Sequence, residues 1–313
     1  MPEVLVVGDA NPDLLLRGDV VPRFGQVEQL LDDARTLLGG SAAITAHGLA
    51  RLGRSTGLVA AVGQDLFGDL MVELLATASV RTDWVYRRTL VPTGISVVLG
   101  AGVDRGILTL PGAIPTLTEA EVCAAVKEAA GLRHVHVSSL FLQPALAGWI
   151  GSVLADVRRR GASTSLDTNY DPAQQWAGVD HLLPLLDFLL PNRVEVLALA
   201  AAAGHPTHDA VDAAQHLAGR GPTVVLKDGA AGAISVQPDG TVLRQRAPTL
   251  DPVDTTGAGD TFDAAFLDSR LRDLSLIDCL RRAVRAGALA TQGVGGTAGQ
   301  PTLAQLIDDQ GTL

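Results

Sequence analysis

The stretch best equipped for chemistry in this 313-residue chain is Asp254-Thr255-Thr256-Gly257-Ala258-Gly259-Asp260-Thr261-Phe262, with a helical pattern continuing from Phe262 through Leu271. Small residues just ahead of a helix leave backbone N–H groups open to close approach. With the helix dipole they form an anion site suited to phosphate. Asp260 falls in the first turn, beside that anion. A carboxylate there can take a proton from an alcohol while the N–H groups hold a transferring phosphoryl group, which is the division of labour phosphoryl transfer needs. The same aspartate would also serve as a plain first-turn cap. Lys227 stands out as well: the chain has 22 Arg and only two Lys, and this one opens the glycine-rich run Lys227-Asp228-Gly229-Ala230-Ala231-Gly232.

These residues need a scaffold, and the hydrophobic patterning supplies one. Short apolar runs at 4–7, 58–62, 135–138, 163–166, 188–190 and 224–226 read as buried strands. Amphipathic stretches at 42–52, 67–78, 119–130, 145–160, 194–203 and 208–218 alternate with them as helices. That alternation predicts an α/β fold, a mostly parallel sheet with helices on both faces. Segments 14–38 and 93–110 break the rhythm with β-type alternation and Gly/Pro turns, and 95–99 with 107–110 reads as a hairpin. We expect them to form a small flap over a site at the carboxyl ends of the strands. Apolar surface on such a sheet could be buried by a second copy, so a homodimer through the flap is expected.

Composition narrows the function classes. The chain is 47% apolar and 19% charged, with a net charge of −10, which argues for a globular enzyme-sized core and against a chain-wide nucleic-acid footprint. The most apolar stretch, 182–190, is broken by Pro184 and Asp187 and is far short of the ~20 residues of a membrane span. Two well-separated cysteines and an N-terminus without a basic leader fit a cytoplasmic protein.

The segment at 254–262 closely resembles the C-terminal signature of the ribokinase-like (PfkB) sugar kinase family, D-T-T-G-A-G-D-[ST]-F. Gly39-Gly40-Ser41-Ala42-Ala43 looks like its N-terminal counterpart, and Val62-Gly63-Gln64-Asp65-Leu66-Phe67-Gly68 resembles the family's V-G-x-D-x-x-G. Further matches at Gly8-Asp9 with Asp13, Thr93-Gly94, Asp167-Thr168-Asn169, Asn192 to Glu195 and Lys227 to Gly232 carry the likeness along nearly the whole chain. The resemblance implies one ribokinase-like domain over 1–313: a three-layer α/β/α sandwich with a small β-sheet lid built from about 14–38 and 93–110. It implies an ATP-dependent kinase acting on a sugar-like acceptor, with Mg2+ and a monovalent cation such as K+. By position, Asp260 would be the general base, and Gly257, Ala258 and Gly259 the anion hole. Asp13, Gly39 and Gly40 would bind the acceptor. Asn192 and Glu195 would organise the magnesium and phosphate end of the nucleotide. Lys227, Gly229 and Gly232 would line the ATP site, and Asp254 would help hold the monovalent cation with carbonyls from 293–299.

Three positions depart from the family pattern: Ile44 replaces an Asn that often contacts sugar, Asp171 replaces an Arg in D-x-N-x-R, and Ile114 replaces an Asn after Gly112. They leave the phosphoryl-transfer residues intact and blur the acceptor, so a nucleoside kinase is the alternative and a sugar-binding regulator without catalysis the remote one. Other motifs carry less. Neither lysine follows a glycine, which excludes a Walker-type phosphate loop, and Gly293-x-Gly295-x-x-Ala298 follows a helix where a dinucleotide fingerprint follows a strand. His205 and His208 read as a solvent-facing loop pair, and His134 and His136 as packed or hydrogen-bonded residues near a sheet end.

Overall fold

The structure, a computed structural model, describes residues 1–101 and 104–307. The turn of the expected hairpin, 102–103, and the last six residues of the chain lie outside them. The chain opens with β1 (Val4–Val7), β2 (Asn11–Gly18), β3 (Leu31–Gly39), α1 (Ser41–Arg51), β4 (Thr56–Gly63), α2 (Leu66–Thr77), β5 (Arg81–Arg88), β6 (Ile95–Ala101) and β7 (Asp104–Leu110). It continues with α3 (Glu119–Glu128), β8 (His134–Ser138), α4 (Pro144–Arg159), β9 (Ser163–Asp167), β10 (Phe188–Leu189), α5 (Arg193–Ala202) and α6 (Ala210–Ala218). The last third holds β11 (Thr223–Lys227), β12 (Ala233–Val236), β13 (Val242–Gln245), α7 (Ala258–Leu271), α8 (Leu276–Ala290) and α9 (Leu303–Ile307).

Nine strands form the large sheet, in the order β13-β12-β11-β10-β9-β8-β1-β4-β5, and it is parallel except at the β11–β12–β13 edge. Every residue of β1 and β4 is buried, as a parallel sheet covered on both faces requires. Successive residues of β1 face opposite layers. Leu5 and Val7 pack with Ile150, Val153 and Leu154 of α4, while Val4 and Val6 pack with Leu49, Phe266 and Leu280. The fold is therefore a mixed α/β sandwich, as the alternation predicts.

A second sheet of four strands, β3-β2-β6-β7, accounts for both segments that broke the rhythm. Asp13 to Arg17 pairs in parallel with Ser96 to Gly100, and β6 and β7 form the expected hairpin. Strands β5, β12 and β13 were not anticipated. β5 (Arg-Thr-Asp-Trp-Val-Tyr-Arg-Arg) is a charged edge strand without a continuous apolar run, and the other two are four residues each.

Several helices are entered through capping side chains. Asp65 caps α2, Thr118 and Glu121 form a capping box on α3, Asp209 caps α6 and Ser275 caps α8. Among the described residues α1 and α7 have no side-chain cap and are entered through Gly40 (φ 84°) and Gly257 (φ 70°). That left-handed backbone suits glycine; in α1 the amides of Ala42 and Ala43 are then met by Asp9, through its Oδ1 and its carbonyl oxygen. α7 begins at Ala258, four residues before the apolar pattern starts, which puts Asp260 in its first turn as expected.

Candidate active site

The carboxyl ends of β1, β8, β9 and β11 deliver the polar residues, and α1 and α7 aim their N-termini at them. Asp260 is 8% exposed. Burial pushes its carboxyl up to about 8; the nearby charges of Asp167 and Asp9 add to the rise, while Lys227 and a hydrogen bond from Ser41 pull it back. Gly257 is required by more than its backbone angle. A Cβ there would stand 2.6 Å from Cα and O of Gly296, so the turn expected to form the anion hole is pressed against the 293–299 loop. Asp254 holds the two together: Oδ1 accepts from Thr256 N (2.9 Å) and Oγ1 (2.7 Å), and Oδ2 accepts from Gly295 N (2.9 Å). Arg17 of β2 lies 3.6 Å from that second oxygen, which ties the small sheet to the same loop.

The expected acceptor residues Asp13, Gly39 and Gly40 meet at the entry to α1. Asn11 Nδ2 donates to Asp13 Oδ1 at 3.3 Å and to Ser96 Oγ at 3.2 Å, and a Cβ at Gly39 would run into the Asp13 carboxylate. A Cβ at Gly40 would lie 2.9 Å from the carbonyl oxygen of Asp9. Asp9 Oδ1 accepts the Ala42 amide at 2.9 Å, and burial raises this carboxyl above its usual range. Asn169 Nδ2 donates to Ser41 Oγ at 2.9 Å, and Asn169 Oδ1 accepts from Ser139 N at 2.8 Å. Sequence reasoning missed Asn11 and Ser41; the signal for both was adjacency to Asp13 and to the glycine pair. The Asp171 departure has a structural use: its carboxylate accepts from the amides of Ala173, Gln175 and Trp176 at 2.7–2.9 Å and folds the following loop. Ile44 is 3% exposed and packs against Gly296.

Where the sequence places the nucleotide, a cavity of about 280 Å³ is lined by Ala247, Pro248, Leu250 and Val284 together with Lys227, Gly229, Gly232 and Gly259. Asn192 and Glu195 cap α5: Asn192 N and Nδ2 donate to the two Glu195 oxygens at 2.8 and 2.6 Å, and the Asn192 side chain accepts from Val194 N and Glu195 N. Burial, with the charge of Asp167, pushes Glu195 up to about 7. Lys227 Nζ is 2.6 Å from Asp167 Oδ2 and 3.0 Å from Asp263 Oδ2, a pairing across three elements that sequence spacing does not disclose.

Other motif residues serve the scaffold. Asp65 accepts from Gly68 N, Thr93 N and Thr93 Oγ1, so the V-G-x-D-x-x-G and T-G matches form one hydrogen-bonded corner. His134 and His136 bond to Ser163, Ser165 and Ser138 inside the sheet, with burial lowering them to about 3 and about 4, as the sequence suggested for packed histidines. His208 is exposed, while His205 bonds Asp212 and stacks on His216.

The fold is a mixed α/β sandwich, and comparison supplies its family. Residues 1–303 match the pfkB family carbohydrate kinases, and the chain belongs to that family. It is 26% identical to a ribokinase of Bacillus subtilis over 96% of this chain and 97% of the relative. A 2-dehydro-3-deoxygluconokinase of the same organism is 30% identical over 88% of each chain. The Arabidopsis thaliana ribokinase solved with ribose and ATP superposes with a TM-score of 0.83 at 27% identity, covering 98% of both chains.

Proposed function

We propose that this carbohydrate kinase transfers the γ-phosphoryl group of ATP to a hydroxyl of a sugar or sugar derivative, with Asp260 as general base. One observation carries the reading: Asp260 is buried in the first turn of α7, whose Ala258, Gly259 and Phe262 line the apolar cavity, while Ser41, held by Asn169, hydrogen-bonds its carboxyl. The acceptor hydroxyl lies against Asp260, held by Asp13 and the backbone at Gly39 and Gly40. Its oxygen attacks phosphorus, the bond to the leaving ADP breaks, and the hydroxyl proton passes to Asp260. The amides at 257–259 meet the charge on the transferred phosphoryl group without reorganising. The apolar cavity takes the adenine, with Gly229 and Gly232 letting backbone approach the nucleotide.

Mg2+ prefers oxygen ligands and keeps several waters, commonly using one or two carboxylates beside the phosphates. Asn192 and Glu195 fit that supporting role, and among the described residues no group of three His, Cys, Asp or Glu is placed to hold a metal alone. Bound magnesium would neutralise phosphate charge. The residues around Asp254 fit a monovalent cation less well. Arg17 already faces the carboxylate, so K+ would have to share or displace that guanidinium, and no step uses it.

The small sheet serves as a lid, because it carries Asp13 and Asn11 on β2 and Gly39 on β3. Ile107, Leu108 and Leu110 of β7 are 53–61% exposed, which supports a homodimer formed through this sheet; light scattering is expected to give twice the chain mass at micromolar protein, and a monomer contradicts it. Among the described residues no helix is long and apolar enough to cross a membrane, and ATP use with two free cysteines fits the cytoplasm. Asp13→Asn is expected to raise the acceptor KM about 10- to 150-fold through loss of a charge-assisted hydrogen bond, with the KM for ATP unchanged. Equal effects on both substrates contradict the assignment. A coupled ADP-release assay over neutral monosaccharides, sugar acids and nucleosides tests the activity, and no stimulation by any sugar sinks it.

A further inference from the structure

Lys227 ends β11, Asp167 ends β9, and Asp263 lies one turn beyond Asp260 on α7. The Lys227 side chain is 12% exposed, that of Asp167 is 3% and that of Asp263 is 0%. Two polar routes connect this ammonium to the base. One runs from Asp167 to Asn169, whose N and Nδ2 lie 3.3 and 3.5 Å from the Asp167 carboxylate, then to Ser41 and on to Asp260. The other runs through Asp263 and a single helical turn, which places positions 260 and 263 on one face. A Cβ at Gly259 would stand 3.7 Å from Nζ, so the ammonium lies under the anion-hole turn itself.

We infer that Lys227 is a positioning residue. By pairing Asp167 with Asp263 it fixes the acceptor loop and the catalytic helix in one geometry, and its ammonium is not a ligand for nucleotide phosphate. The electrostatics argue against a mobile role. The charged groups facing this ammonium are Asp167, Asp263 and Glu195, with Asp260 beside them and His136 behind Asp167. Burial works against the lysine charge, yet these carboxylates outweigh it and hold its proton more tightly than in an ordinary lysine. Against its burial, Lys227 and a hydrogen bond with Asp263 hold the Asp167 carboxyl below its usual range, while burial pushes Asp263 well above its own. Moving the ammonium onto an incoming phosphate would strand the Asp167 charge, and a buried charge left alone is strongly unfavourable. A compact ammonium can meet two carboxylates at one point, which a planar guanidinium does differently, and this is the use of a lysine in an arginine-rich chain.

The inference rests on Asp260 being the base. The test compares Lys227→Met, Lys227→Arg and Lys227→Met/Asp167→Asn by kcat and by calorimetric binding of a non-hydrolysable ATP analogue. Lys227→Met is expected to lose about 100-fold in kcat, the scale of an ångström-level misplacement, with analogue affinity held within about threefold. The double variant, which removes the buried charge that Lys227→Met strands, is expected to regain at least about fivefold in kcat over Lys227→Met. Should Lys227→Met not fold, Lys227→Arg is read instead, with lower kcat at unchanged analogue affinity expected. Analogue affinity weakened about tenfold or more in a Lys227 variant, with kcat at saturating ATP preserved, overturns the inference. Failure of the Asp260 reading looks different: Asp260→Asn then keeps wild-type kcat whatever the Lys227 variants do.

Discussion

Asp260→Asn is expected to lower kcat by about 10²- to 10⁴-fold, the usual share of a general base, while leaving nucleotide binding intact. The amide keeps the shape of the carboxyl and can still meet Ser41, and α7 takes no side-chain cap from this residue, so its first turn survives. The substitution also has a stability signature. Burial raises the folded carboxyl to about 8 from an unfolded value of 3.8. The folded state therefore holds its proton where the unfolded chain has released it, so Asp260 lowers stability progressively as pH rises from about 4 to about 8. Removing the titration makes the variant more stable than wild type, and the gain in Tm is expected to be larger at pH 8 than at pH 5. A variant that keeps more than a tenth of wild-type kcat refutes the base; equal Tm differences at both pH values refute the buried-acid account.

Gly257→Ala is expected to lower kcat about 10²- to 10³-fold, comparable to losing a donor from an oxyanion hole. The left-handed backbone (φ 70°) and a Cβ 2.6 Å from Gly296 leave a side chain no space, and the opposing atoms are backbone rather than a flexible tip. The turn must shift, taking the amides of Ala258 and Gly259 with it. Circular dichroism and Tm show whether the fold persists, and a folded variant with undiminished kcat would remove the anion hole from the mechanism.

Much of this molecule is legible in the sequence. The parallel sheet is written in apolar runs such as Val4–Val7, and the small sheet in the two segments that interrupt the helical rhythm. The start of α7 is legible too, because glycines followed by an apolar period leave few other conformations. The unread parts share a cause: they depend on meetings between distant segments. Lys227 reads as a nucleotide contact by its motif, and only the convergence of β9, β11 and α7 shows its ammonium between two carboxylates. Arg17 on β2 gives no sign in the sequence that it faces Asp254, more than two hundred positions away. The charged strand β5 hides for a simpler reason, since an edge strand needs no continuous apolar run.

The most direct measurement of the central claim is kcat/KM of the wild-type enzyme on its best sugar acceptor, from about pH 6 to about pH 10, because this ratio reports the ionisation of the free enzyme's base. With Asp260 raised to about 8, the ratio should climb close to tenfold per pH step below that value and level off above it. A profile that is flat across this range, or an ascending limb that persists in Asp260→Asn, would contradict Asp260 as the group that accepts the acceptor's proton.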